Sequence, residues 1–170
     1  LRSAESINAA IISSTINLPG AEMDASLLDG AFKAYTVNYD SQFGGFGNST
    51  KFPNANILLY LLRYQQRTNS NQALAMVEQT LTAMRRGGIF DHLGYGFHRY
   101  STDRMWRLPH FEKMLYDQAL LITTYIETYQ ATAKEVYAQT AGEIIDYVLA
   151  EMTSPEGGFY SAESADSEGE

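Results

Sequence analysis

Apolar residues recur at three- and four-residue spacing over most of the chain, the signature of amphipathic helices rather than strands. Residues 3–16 place Ile7, Ala10 and Ile11 on one face and run into Leu18-Pro19-Gly20, a turn signal. Residues 24–40 open on Asp24, a good N-cap, and carry a stripe of Leu27, Leu28, Ala31, Phe32 and Tyr35. Phe43-Gly44-Gly45-Phe46-Gly47 interrupts the pattern. A third helix is predicted from near Pro53, with Ile57, Leu58, Leu61 and Leu62 as its face. The polar cluster Thr68-Asn69-Ser70-Asn71 turns the chain into a fourth, carrying Leu74, Val77, Leu81 and Met84 and ending at Gly87-Gly88. A fifth helix is predicted over 109–130 and a sixth over 134–152, closed by Pro155-Glu156-Gly157-Gly158. The expected fold class is therefore all-α: six antiparallel helices, or three helical hairpins, with no convincing strand.

The glycine pairs at 44–45, 87–88 and 157–158 are each followed by an aromatic, either directly or after one isoleucine. This reads as one event recurring: a helix ends, glycines turn the backbone, and an aromatic anchors the turn. The long irregular segment 88–108 is different. It is dense in glycine, aromatics and ionisable groups, and a loop of that length inside a compact domain is usually functional.

The chain has 170 residues, 45% of them hydrophobic and 19% charged, a globular balance that excludes wholesale disorder. Its net charge of -8 argues against sequence-independent nucleic-acid binding. It has no cysteine, which excludes thiol chemistry, disulfides and Cys-based zinc sites. No apolar run is long enough to span a membrane, and a cytoplasmic location is favoured. The absent initiator Met and the acidic, unclosed C-terminal stretch are read as cut points within a longer polypeptide.

All three histidines, His92, His98 and His110, fall within residues 92–110, among Asp91, Arg99, Asp103, Trp106 and Arg107. On the predicted fifth helix, His110, Lys113 and Asp117 lie within about 60° of one another and form a charged stripe on an otherwise apolar rod. Charges in such a place must be paired or line a wet cavity. The bland counterpart is a simple Lys113–Asp117 pair at i,i+4. No HExxH, GxSxG or phosphate-loop pattern occurs, so no metal or cofactor is expected. Imidazoles, carboxylates and cations among aromatic rings suit acid/base chemistry on a sugar-like ligand.

Several motifs together resemble one family. They are Gly44-Gly45-Phe46-Gly47 with Lys51-Phe52-Pro53, Gly96-Phe97-His98-Arg99-Tyr100-Ser101, Pro109-His110-Phe111-Glu112-Lys113-Met114-Leu115-Tyr116-Asp117, and Pro155-Glu156-Gly157-Gly158-Phe159-Tyr160-Ser161-Ala162-Glu163. Over residues 24–170 the chain closely resembles the spermatogenesis-associated protein 20-like, thioredoxin-domain-containing family. The resemblance implies an (α/α)6 toroid of the six-hairpin glycosidase type, similar to N-acylglucosamine 2-epimerases, downstream of a thioredoxin-like domain. It implies residues 1–20 as a leading helix and turn, and 21–170 as the first half of the toroid. The sequence departs from the family pattern in Ser49-Thr50, in His92 and Tyr95, and in Glu163-Ser164-Ala165-Asp166, where one carboxylate is lost.

The expected chemistry is epimerase- or glycosidase-like. His98 and His110 are the acid/base candidates, with Glu163 and Asp166 as the carboxylates. Trp106 and Tyr100 would stack on the ring, while Arg99, Lys113 and Asp117 would bind its polar groups. The alternative is a non-catalytic scaffold or binding module whose charged stripe is a structural ion-pair network. An apolar edge left uncovered by a half toroid would favour self-association or pairing with the remaining half.

Overall fold

The computed structural model describes residues 2–15 and 24–166. The chain falls into two compact units, Leu1–Ala31 and Phe32–Glu170. Among the described residues there are six helices: α1 (Arg2–Thr15), α2 (Ser26–Asn38), α3 (Ala55–Thr68), α4 (Asn71–Arg86), α5 (Leu115–Thr132) and α6 (Glu135–Glu151). In the first unit, Asp24 accepts the Ser26 amide at 2.7 Å and so caps the entry to α2. The turn expected at Leu18-Pro19-Gly20 lies outside the described residues.

In the second unit, α3 and α5 lie side by side, α4 packs on α3, and α6 packs on α5. The result is two layers of helices, with hairpins α3–α4 and α5–α6 set next to each other. The core runs between the layers through Leu58, Leu61, Val77, Leu81, Leu121 and Ile144, all fully buried. Sequence period explains this: these residues fall on the apolar faces of their helices, and burying each contributes roughly 1.5–3 kcal/mol. The polar turn between α3 and α4 forms as its residues predict. Asn69 takes a left-handed conformation at φ 56, and Ser70 caps α4 by accepting the Ala73 amide at 3.2 Å. Buried Thr80, Thr124, Thr128 and Thr140 satisfy their hydroxyls by donating to carbonyls one turn back.

The fifth helix begins six residues later than its sequence pattern predicts. Residues 109–114 are extended, not helical. Short strands β1 (Tyr100–Ser101) and β2 (Pro109–His110) pair antiparallel, as do β3 (Lys113–Met114) and β4 (Ala162–Glu163). Each pairing supplies hydrogen bonds from a distant segment, and that outweighs the local helical pattern. The stripe of His110, Lys113 and Asp117 on one helix therefore does not exist, and strands stand where none was expected.

The loops repeat, though not in the register that the glycine pairs indicate. Bridges join Tyr39 to Phe46, Phe90 to Phe97 and Thr153 to Phe159. The counterpart of Gly44-Gly45-Phe46 is Tyr95-Gly96-Phe97, with φ of 70 and 75 matched by 66 and 74. Gly87-Gly88 serves another purpose. It ends α4 where the backbone of Trp106 and Arg107 crosses so closely that a Cβ on Gly88 would lie 2.2 Å from the Arg107 carbonyl oxygen.

Candidate functional site

The first two loops are built on the same design. In the first, Asp40 accepts the amides of Gln42 and Phe43, while Lys51 Nζ reaches both Asp40 and the Gly44 carbonyl at 2.6 Å. In the second, Asp91 accepts the amides of Leu93 and Gly94, while Lys113 Nζ reaches Asp91 at 2.8 Å and the Tyr95 carbonyl at 3.0 Å. An aromatic ring covers each ammonium: Trp106 at 5.5 Å from Lys51 and Tyr147 at 4.3 Å from Lys113. Arg104 adds two further hydrogen bonds to Asp40.

These pairings fix the carboxylates in their charged forms. Burial pushes Asp40 up, but hydrogen bonds from Arg104, Lys51 and the two amides outweigh it and hold the group well below the usual range. The same balance leaves Asp91 at about 2.

Two of the expected ligand-binding residues are therefore structural. Lys113 is buried in its pair with Asp91 rather than free to bind a ligand. Trp106 is fully buried, its indole N–H donates to the Phe43 carbonyl at 3.0 Å, and its ring fills the space beside Gly45. It offers no face for stacking on a sugar.

His98 is buried near this network. Its Nδ1–H donates to the Phe111 carbonyl at 3.1 Å, which sets the neutral tautomer and leaves the Nε2 lone pair without a hydrogen bond among the described residues. Burial pushes the imidazole pKa down. The hydrogen bond to Phe111 opposes that shift, the Lys113 charge adds to it, and the Asp91 and Glu163 carboxylates also oppose it. Glu163 lies across from Lys113 in the β3–β4 pair and accepts from the Tyr147 hydroxyl at 2.6 Å. Burial and then Glu163 push that phenol far up. His98, Asp91, Lys113, Tyr147 and Glu163 thus form one cluster.

A second cluster gathers around Arg99, the residue after His98. Arg99 pairs with Glu112 at 2.7 Å, and His110 Nε2 lies 3.5 Å from the same carboxylate. The His110 ring stacks on Tyr100 at 4.8 Å, and Tyr100 in turn rests on Phe52 at 4.9 Å. Asp117, in the first turn of α5, completes this group. Burial raises its carboxyl to about 6, against a smaller lowering by the Arg99 charge. Asp166 is exposed at the end of the described chain, where its amide bonds Ser164 Oγ. It joins neither cluster through any hydrogen bond or ion pair.

Sequence reasoning placed Asp91 and Glu112 in the ionisable segment without giving them a site role, and missed Tyr147. Asp91 carried a signal, since Asp40 and Asp91 each stand five residues before a Gly-Phe pair. Tyr147 carried none, being one aromatic on a helix rich in apolar residues. Among the described residues, no group of His, Asp or Glu is arranged to hold a metal ion, and no helix is long and apolar enough to cross a membrane.

Mouse spermatogenesis-associated protein 20 is 45% identical over 147 residues, which cover 84% of this chain. The chain is homologous to a section of spermatogenesis-associated protein 20. The human protein is 44% identical over the same length, and in each case the chain spans about a fifth (19%) of the relative. No family model matches. Among solved structures, a sugar epimerase from a ruminal bacterium superposes with a TM-score of 0.72 at 13% identity, over 82% of this chain and 40% of that one. Cellobiose 2-epimerase from Spirochaeta thermophila gives 0.71 at 18% identity, over 83% and 39%. A family 76 glycoside hydrolase (mannosidase) from Bacteroides thetaiotaomicron gives 0.67 at 17%, over 81% and 38%. At these identities the likeness establishes the fold, the helical-hairpin toroid of sugar epimerases and glycosidases, of which the chain covers a part.

Proposed function

We propose that this chain supplies the first half of a carbohydrate-active toroid that performs acid/base chemistry, epimerase- or glycosidase-like, on a sugar. The observation that carries the proposal is His98: a neutral imidazole with an uncommitted Nε2, beside Glu163, in a fold shared with sugar epimerases and glycosidases. A buried imidazole below its ordinary pKa is unprotonated at neutral pH and can accept a proton from a sugar carbon or a water. Glu163, positioned by Tyr147, is the paired carboxylate. His110, held between Glu112 and Tyr100, and Asp166, exposed at the end of the described chain, stand apart from this pair and are given no acid/base role in it.

The test is turnover of mono- and disaccharides, including cellobiose and mannose, by the full-length protein. His98→Gln and Glu163→Gln are each expected to lower kcat/KM by about 10²–10⁴-fold. The acid limb of the wild-type pH profile should lie below about pH 6.5, the ordinary histidine value. Undiminished turnover in both variants would sink the catalytic reading.

A specific observation favours the second reading, a non-catalytic binding module. Lys51, Lys113, Asp40 and Asp91 are all consumed in internal pairs, as a structural ion-pair network requires. On that reading no sugar is turned over, and the His98 and Glu163 variants keep the protein's cellular activity.

The exposed apolar residues Ile126 on α5 and Ile145 and Leu149 on α6 support an edge that further toroid repeats cover. The 170-residue chain by itself is expected to self-associate in light scattering at about 100 μM, a demanding concentration for a specific contact. A clean monomer there would count against an uncovered edge.

A further inference from the structure

A groove of about 780 Å³ runs between α4 and α6, with Tyr125 of α5 at its floor. That volume lies within the range of small-molecule sites. None of His98, Asp91, Lys113, Tyr147 and Glu163 lines it, so it is separate from the candidate site described above. The two tyrosines that line it have committed hydroxyls. Tyr125 donates to the Leu81 carbonyl at 3.1 Å, and Tyr137 donates to Glu78 at 3.0 Å. They therefore contribute ring rather than hydroxyl, and with Leu81 and Val136 they make an apolar wall.

The charges along the groove are unevenly used. At one end Lys134 pairs with Glu78. At the other, Arg85 pairs with Glu143 at 2.8 Å, rests on the Phe90 ring at 3.9 Å and donates to His92 Nδ1 at 3.4 Å. His92 is committed at both nitrogens, since Nε2–H donates to the Gly87 carbonyl at 3.1 Å. Arg86 differs. It is exposed, lines the groove and makes no hydrogen bond or ion pair among the described residues. Its place in the last turn of α4 suits the helix dipole, but the N–H donors of its guanidinium stay unused. Arg86 stands two turns beyond Glu78, about 12 Å along the helix. The groove thus offers one uncommitted cation, an apolar wall and, at the far end, an ion pair that is already neutral.

We propose that this groove binds an amphipathic monocarboxylate, with its carboxylate on Arg86 and its apolar body along Leu81, Tyr125, Val136 and Tyr137. A guanidinium matches a carboxylate through two parallel hydrogen bonds. A cationic ligand would be repelled by Arg86, and a second acid would find Lys134 already neutralised by Glu78, so a single negative charge is selected. The chain carries a net charge of -8, so the attraction is local to Arg86 rather than a property of the whole surface.

The test is calorimetric titration of the full-length protein with 1-naphthylacetate and with its uncharged isostere, 1-naphthylacetamide. Wild type is expected to bind the acid about tenfold or more tightly than the amide, as a charge-assisted hydrogen bond requires. Arg86→Gln should lower the acid to the affinity of the amide. It should leave amide binding and the melting temperature unchanged, because Arg86 has no internal partner to lose. Val136→Trp, at a position 52% exposed, should fill the groove and abolish binding of both compounds. Equal binding of acid and amide, undiminished acid binding in Arg86→Gln, or unchanged binding in Val136→Trp would overturn the site. So would the absence of acid binding by wild type up to about 1 mM. None of these outcomes bears on the sugar reading, which rests on a different group of residues.

Discussion

Replacing Asp40 with asparagine is expected to destabilise the fold by about 3–5 kcal/mol, the range for breaking a buried ion pair. Asp40 is 5% exposed and accepts hydrogen bonds from Lys51, from Arg104 twice, and from the amides of Gln42 and Phe43. An asparagine of the same shape keeps one oxygen acceptor but turns its NH2 toward donors. Lys51, fully buried, is then left with only the Gly44 carbonyl and the Trp106 ring around its charge. The chain has a single tryptophan, so a urea titration followed by Trp106 fluorescence reads this very region. A midpoint within error of wild type would show that the network is dispensable.

The same carboxylates govern acid stability. Asp40 and Asp91 are held below the unfolded aspartate value of about 3.9, so the folded state binds fewer protons than the unfolded one. Their contribution is complete above about pH 4 and fades as pH falls toward 2, the Asp91 value. In Asp40→Asn the share owed to Asp40 is already gone, so its acid transition should be shallower. Asp117 acts with the opposite sign. Its pKa of about 6 in the fold means that stability falls as pH rises from about 4 to 6.

Trp106→Ala is expected to cost about 3–5 kcal/mol, read by circular dichroism during urea unfolding. The indole is fully buried, lies over the Lys51 ammonium and satisfies the Phe43 carbonyl. It packs so closely that a Cβ on Gly45 would lie 2.4 Å from its ring. Its removal opens a cavity and leaves that carbonyl without the bond. A stacking platform on a ligand surface would behave in the opposite way, with little change in stability and a loss of binding. An unchanged unfolding midpoint would restore Trp106 as a ligand-facing residue.

Much of the helical framework was legible because its signals are local. Apolar spacing located the bodies of α2, α3, α4 and α6, and the Asn69-Ser70 turn followed from capping chemistry alone. The motifs around 96–101 and 109–117 likewise marked the region where the charged groups converge. The failures cluster where distant segments meet. His110 and Lys113 fit a helical stripe on paper, but His110 pairs with Tyr100 and Lys113 with Glu163. Gly87-Gly88 looked like a copy of Gly44-Gly45, whereas the true copy hides a tyrosine at the first position, Tyr95 at φ 66.

The sequence by itself determined the helical class, the α3–α4 and α5–α6 hairpins and the clustering of ionisable groups, since periodicity, caps and composition act over a few residues. Tertiary structure alone decided which of those groups are available. Lys113 and Trp106 are withdrawn into the interior because Asp91 and Gly45 meet them there. His98 keeps a free nitrogen because the Phe111 carbonyl takes the other. One Arg99 terminal nitrogen is taken by Glu112, while its Nε is left without a hydrogen bond. Availability is what remains after every other partner has been assigned, and those partners lie far along the chain.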